Sequence, residues 1–301
     1  MTNGLPQNKA DGLPLALGAY AIWGLLPLYF YFLLFVPPLE LIGWRVIFTL
    51  PVCLLVVIVR RQGQQLRLAL TNPKVLLYLI TSATLIGANW LVYIYAVQSG
   101  HVLSASLGYY INPLLNVLLG TVFLRERLTR QQWIAVAMAT VGVAILAFGA
   151  LDTLWISLTL AFSFGTYGLV RKLAPVESLP GLTIETLIWT PFAITIVGWH
   201  AGSAEGSAMH HGWISALMIV GTGIMTAAPL LLFASAARRM DYSLLGFVQF
   251  LAPTMVFFIG LFVFEERLQI VQLACFLLIW TAIALFSWDL FARRRIQPAT
   301  G

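Results

Sequence analysis

About ten apolar blocks, each long enough to cross a bilayer, follow one another along this 301-residue chain. That succession constrains the fold more than any motif does. About 30 Å of hydrocarbon offers no water to the backbone, so each crossing must satisfy its own hydrogen bonds, and a helix of about 20 mostly apolar residues does so. Composition agrees: 60% of residues are hydrophobic and only 9% are charged. A soluble domain of this length keeps a charged surface, and here the apolar surface must face lipid. The net charge of +6 therefore does not point to nucleic acid, because basic residues at helix ends set membrane orientation.

The hydropathy pattern predicts helices over about 14–34, 39–59, 75–97, 102–123, 131–149, 153–172, 180–200, 212–236, 243–264 and 269–290. Val36-Pro37-Pro38 closes the first, and the stretch from Arg60 to Lys74 reads as a polar loop. Thr129 followed by Gln132 reads as a capping box opening the fifth predicted helix. Met1 to Gly12 lacks the basic start and small-residue cleavage site of a signal peptide, so the first block is expected to stay as a helix.

Orientation follows from counting Lys and Arg. With the N-terminus inside, the inner segments hold Lys9; Arg60, Arg61, Arg67 and Lys74; Arg125, Arg127 and Arg130; Arg171 and Lys172; Arg238 and Arg239; and Arg293, Arg294 and Arg295. That is fifteen of the seventeen basic residues; Arg267 lies outside and Arg45 within a helix. This bias supports an even number of spans, with both termini in the cytoplasm and the chain in the inner membrane.

The two halves match at a spacing of about 140 residues: Ala96 with Ala236, Pro51 with Pro191, Pro113 with Pro253, Gly120 with Gly260, and Glu126-Arg127-Leu128 with Glu266-Arg267-Leu268; Gly24 matches Gly165 with one residue of slip. Five spans per copy is an odd number, so the second copy crosses in the opposite sense. Inverted repeats are a transporter signature, because two similar halves can exchange conformations around a midplane site. The domains expected are a cytoplasmic tail (1–12), a first five-helix copy (13–150), a second, inverted copy (151–291) and a basic cytoplasmic tail (292–301).

This pattern resembles the EamA-type drug/metabolite transporters: two five-helix copies, each with a helix carrying a late Pro and Gly and then a Glu-Arg-Leu turn. Gly43-Trp44-Arg45, Tyr109-Tyr110-Ile111-Asn112-Pro113-Leu114 and Ile184-Glu185-Thr186 resemble the RarD subgroup. The resemblance covers roughly residues 12 to 292. It implies an all-α membrane protein of ten transmembrane helices around a central cavity, lined mainly by the first, third, fourth, sixth, eighth and ninth. It leaves the substrate open, since RarD-type proteins carry only a loose link to chloramphenicol sensitivity.

The residues offer candidates for a solute site. The fourth predicted helix carries Ser106, Tyr109, Asn112, Asn116 and Gly120 at steps of three and four, which is one face. The ninth repeats this with Gly246, Gln249, Pro253, Val256 and Gly260. Such a face lines a cavity or glues helices together. Tyr109, Tyr110, Asn112 and Gln249 are candidates for substrate contact, as are Asn89 and Tyr93 on the third helix, Trp23 beside Tyr20 on the first and Tyr167 beside Ser163 on the sixth. Aromatic rings with polar tips suit an amphipathic solute, and they are also ordinary bundle filler. Pro113 and Pro253 are candidate hinges. Arg45 and Glu185 lie inside spans at matched repeat positions, where a charge is costly. They are candidate gating or coupling groups. Arg45 could reach towards Glu40, and Glu185 towards Arg171 or Lys172. The Glu126 and Glu266 turns read as structural ties.

No cofactor or metal is expected. Cys53 and Cys275 lie in apolar runs, and His101, His200, His210 and His211 fall in or beside outer loops without ligand spacing. An intramembrane enzyme would need a nucleophile with its base, paired acids or metal ligands. The aspartates Asp11, Asp152, Asp241 and Asp289 all lie at helix ends or in loops. The expected function is thus secondary-active transport of small metabolites or amphipathic solutes, in the direction of export, by alternating access. Multidrug efflux of aromatic, amphenicol-like compounds is the alternative, and an intramembrane enzyme a remote one. The expected partners are a small solute, the lipid bilayer and protons as a candidate coupling ion. A single chain already holds both halves, so it could act as a monomer.

Overall fold

The computed structural model describes residues 12–203, 206–265 and 270–296; the side chains of 102, 103, 149, 150, 290, 291 and 293–296 are excluded. The turn Glu266-Arg267-Leu268, Lys9 and the side chains of Arg293 to Arg295 therefore lie outside the described residues. What is described contains helices and no strands.

In chain order the helices are α1 (Leu13–Tyr31), α2 (Pro38–Val59), α3 (Gly63–Thr71), α4 (Pro73–Gln98), α5 (Val102–Phe123), α6 (Arg130–Ala147), α7 (Leu154–Leu173), α8 (Ser178–Ala201), α9 (Trp213–Arg239), α10 (Tyr242–Gln249), α11 (Leu251–Phe262) and α12 (Ile270–Ile296), with 3-10 turns at Phe148–Thr153 and Ala208–His210. Among the described residues nine stretches are long and apolar enough to span a membrane, α10 and α11 counting together as one. The 22-residue α5 is also of spanning length, and the side chains of its first two residues lie outside the described ones.

Two expectations need correction. The Arg60 to Lys74 segment is not simply a loop, because α3 forms within it. Leu66 and Ala69 pack under it against Val75, Ala174 and Val176, and this tertiary contact stabilises a helix too short to stand alone. The predicted helix over 243–264 is two helices, parted at Phe250. The break lies just upstream of Pro253, which lacks an N–H and crowds the carbonyl four residues back, that of Gln249. α5, by contrast, runs unbroken through Pro113. Elsewhere the expected capping box is present: Thr129 and Gln132 bond each other's backbone, and Thr129 also donates to Asp289.

The helices pack in a regular scheme. α2 packs on α8 and α6 on α12; α1 packs on α9 and α11, as α7 packs on α4 and α5; α2 packs on α9, as α4 packs on α8. Small residues permit the closest crossings. A Cβ on Gly223 would lie 2.4 Å from the Phe48 carbonyl oxygen, and one on Gly246 would lie 2.6 Å from that of Pro113. The starts of α1, α2, α4 and α5 recur at α7, α8, α9 and α10 after 141, 140, 140 and 140 residues. Arg125 and Glu265, also 140 apart, share a left-handed backbone with φ of 55° and 53°. The outer surface is apolar, with Leu55, Leu77, Phe192 and Leu217 exposed along the helices and Trp199, Trp213 and Trp288 exposed near helix ends. That is how a lipid-facing surface with interfacial anchors is composed.

Candidate functional site

Polar side chains within the bundle gather in three places. The first is at the end that carries most of the arginines. Glu185 on α8 is buried, and its carboxylate lies 3.5 Å from Nη1 of Arg171, which is buried in the last turn of α7. Of the two partners expected for Glu185, Arg171 is the one found; Lys172 instead donates to the Ala237 and Met240 carbonyls at 2.7 and 2.6 Å. Ser82 of α4 also donates to Glu185, as does the Tyr167 hydroxyl at 3.4 Å. Arg171 further donates from Nη2 to the Ser178 carbonyl at 2.9 Å. Its guanidinium rests on Gly181, where a Cβ would come within 2.0 Å of Nη1. One carboxylate thus ties α4, α7 and α8 together.

Above this knot, Thr49, Trp90, Tyr167, Trp189 and Thr226 enclose a cavity of about 20 Å³ beside Glu185. That is room for about one water. A solute pocket needs roughly 300 Å³ or more, so this cavity does not admit a solute.

The second place surrounds Arg45, seven residues into α2 towards the opposite end. The proposed contact with Glu40 does not form. Glu40 is already occupied, accepting from Trp44 Nε1 at 3.0 Å, Ser207 Oγ at 2.8 Å and the Ala208 N–H at 2.9 Å. Arg45 turns inward, and its Nε donates to Thr226 Oγ1 on α9 at 3.0 Å. Its guanidinium carbon lies 5.3 Å from the Phe30 ring centre and 6.0 Å from that of Trp90. Each such contact offsets about 0.5–2 kcal/mol of the cost of a charge in a span. Tyr93 and Tyr109, with rings 6.3 Å apart, lie within electrostatic reach of Arg45. They are 39% and 45% exposed although both sit within long helices. Arg45, Tyr93 and Tyr109 thus share an accessible, aromatic-lined face at this end.

The third place is packed between helices. Asn89 spends both amide hydrogens on α7, donating to the Leu160 carbonyl and to Ser163 Oγ, each at 2.9 Å. Asn116 donates to Gln249 Oε1 at 2.8 Å, and Tyr20 donates to the same oxygen at 3.4 Å. Asn112 is buried, and its carbonyl oxygen, like that of Asn116, points at Gly165 of α7. Neither oxygen has a conventional donor; Cα–H contacts from Gly165 suit them at this close crossing. Trp23 joins Tyr20, Phe164 and Phe233 in an aromatic cluster, and Tyr167 stacks on Phe233. Tyr110 faces away from this cluster, edge-on to Phe276 of α12.

Among the candidates, then, the fold gathers Arg45, Tyr93 and Tyr109 at one place, Glu185 and Tyr167 at another, and Asn89, Asn112 and Gln249 at helix contacts. Pro253 is buried beside the α10–α11 break. Glu126 is a tie, as expected: its carboxylate caps the start of α10, accepting from the Tyr242 and Ser243 N–H groups at 2.6 and 2.8 Å and from Ser243 Oγ at 2.7 Å. Sequence reasoning missed Ser82 and Thr226. Hydroxyls such as Thr81 and Thr84 bond their own helix on the outer surface, and spacing does not separate the two kinds. No group of His, Cys, Asp or Glu able to hold a metal occurs among the described residues.

Long apolar helices with a lipid-type surface and polar groups turned into the bundle define a multi-pass membrane protein. Comparison with known proteins gives the class. Residues 11–148 match the EamA-like transporter family. The chain is 41% identical over 296 residues to an uncharacterized transporter of Pseudomonas aeruginosa, covering 98% of this chain and 99% of that one. It is 40% identical over 292 residues to protein RarD of Escherichia coli K12, covering 96% and 98%. A chloramphenicol-sensitive protein RarD of P. aeruginosa is 29% identical, covering 97% and 99%. A solved crystal structure shares the fold with a TM-score of 0.73 at 19% identity, covering 95% of this chain and 100% of that one. The chain belongs to the EamA-like transporter family and sits among its RarD-type members.

Proposed function

We propose that this chain is a secondary-active carrier of small metabolites or amphipathic solutes, built from ten spans in two inverted five-helix copies that alternate access to a central site. α5 is the tenth span in this reading, with both termini cytoplasmic in the inner membrane. The observation that carries it is the packing scheme: exchanging α1, α2, α4, α5 and α6 for α7, α8, α9, α10–α11 and α12 turns each of the most extensive helix contacts, those of α2 with α8 and α9, α6 with α12, α1 with α9 and α11, α7 with α4 and α5, α4 with α8 and α5 with α10, into another contact of the same fold. The 140-residue recurrence of helix starts and of the left-handed turn supports the same reading. The family match to residues 11–148 falls on the first copy. Within this frame the two ends differ. The Glu185 end is tied shut, and the Arg45 end is accessible, as one state of an alternating-access cycle would be. By the charge bias the shut end is cytoplasmic. Glu185 and Arg45 then belong to the inner and outer closures, Pro113 and Pro253 to the hinges, and protons are the coupling ion to test. Export is the proposed direction.

Counterflow into proteoliposomes with labelled amino acids, amphenicols and organic cations, with and without a pH gradient, tests this. Saturable, trans-stimulated uptake of at least one solute is expected; flux that never saturates and shows no trans-stimulation would indicate a pore. Preference for amphenicols over all metabolites would favour drug efflux, the reading suggested by the chloramphenicol-sensitive relative.

A further inference from the structure

We propose that Arg45 is the carboxylate-binding group of the accessible, aromatic-lined end of the bundle, so that the site takes organic acids with an aromatic or bulky apolar body. This deepens the carrier reading and rests on it for its role in transport. The guanidinium is oriented on one side only. Nε is bound to Thr226, while the two terminal amino groups have no protein acceptor among the described residues. Arg45 is half-buried, and its terminal nitrogens are not among the sealed, unpartnered atoms of the described residues, so they remain accessible. A guanidinium fixed through Nε presents a planar fork, the geometry that binds a carboxylate through two parallel hydrogen bonds.

No carboxylate lies within ion-pair distance of it among the described residues, and Glu185, the buried acid at the other end, is paired with Arg171. Glu40, the nearest acid along its own helix, is held by Trp44, Ser207 and Ala208. The bundle thus supplies a membrane-embedded cation without supplying its anion. The surroundings choose the rest of the ligand. Phe30 and Trp90 flank the guanidinium, and Tyr93 and Tyr109 expose rings with polar tips to the same space. An arginine that merely reached for bulk water would not be held between two rings and a neighbouring helix's hydroxyl.

Equilibrium binding to the purified full-length protein in detergent tests this, with 3-phenylpropanoate, L-phenylalanine and L-tryptophan, each against its carboxamide. In the wild type at least one acid should bind at least tenfold more tightly than its amide. Arg45→Gln should abolish that preference, bringing the affinity for the acid down to that for its amide. Arg45→Lys should keep only part of it, because an ammonium cannot make the paired contact. If Arg45→Gln does not fold, the acid-to-amide ratio in the wild type and in Thr226→Val, which releases Nε, still decides: the ratio should fall at least threefold in Thr226→Val. Equal binding of acid and amide, no binding of any acid, or a preference unchanged in the variants would overturn the proposal. Counterflow with the same compounds separates the two readings. Acid-selective binding without flux would refute the carrier and retain the anion site, whereas flux without acid preference would refute the site and retain the carrier.

Discussion

Replacing Glu185 by Gln removes the carboxylate that knots α4, α7 and α8, and its consequence can be worked through. Arg171 and Glu185 are 1% and 3% exposed. Removing one member of a buried ion pair costs about 3–5 kcal/mol, because the other charge stays desolvated. Arg171 retains the Ser178 carbonyl, which offsets a fraction of this. The ties from Ser82 and Arg171 exist only while α8 is drawn against α4 and α7, so the cost falls on the closed state. A differential of about 1.4 kcal/mol already changes the ratio of two states tenfold. The variant should therefore open the arginine-rich end, with solute exchange preserved and any pH-driven component lost. The chain carries its own reporter. Cys53 is fully buried where α2 packs on α8, the helix that carries Glu185. Cys275, also fully buried, sits between α12 and Gly142 of α6 and serves as the control. In Glu185→Gln, Cys53 should react with a small maleimide at least tenfold faster than in wild type, and Cys275 at the same rate. Equal Cys53 rates in a folded variant would refute the gating argument, and acceleration at both cysteines would indicate general unfolding.

Other outcomes follow from single contacts. Cysteines placed at Arg67 and Arg130 should label only from the cytoplasmic side and one at Ser203 only from outside; labelling of Arg130→Cys from outside would overturn the topology and the inverted-repeat argument together. Glu126→Gln should lower thermal stability in detergent by about 1–3 kcal/mol, because two N–H groups at the start of α10 lose their charged cap. An unchanged unfolding temperature would show that water replaces the cap. Asn89→Ala breaks both bonds from α4 to α7. It should cost about 0.6–2 kcal/mol, with reduced flux in a protein that still folds. Normal flux at reduced stability would leave Asn89 as packing alone.

The sequence by itself determined the membrane character, the helical class and the positions of most helices, because lipid imposes a single rule on every crossing. Backbone groups must be satisfied within the segment, and length and apolarity report this directly. It also marked Glu126 as a tie and named Arg171 among the partners of Glu185, since a buried acid near a basic helix end has few choices. Tertiary structure decided what one-dimensional spacing cannot contain. The stripe on α5 looks uniform in sequence, yet a neighbour's glycine absorbs Asn112 and Asn116 while Tyr109 stays exposed beside Tyr93. Arg45 turned from Glu40 to Thr226 because a loop from the other half of the chain had already taken the carboxylate. α3 formed where composition indicated a loop, because Ala174 and Val176 supply the apolar floor it needs. Hydrogen-bond partners 167 and 181 residues apart, as in Glu40–Ser207 and Arg45–Thr226, are fixed only when the helices meet. A polar group in a membrane bundle then acts as glue or as a site according to what faces it across that contact.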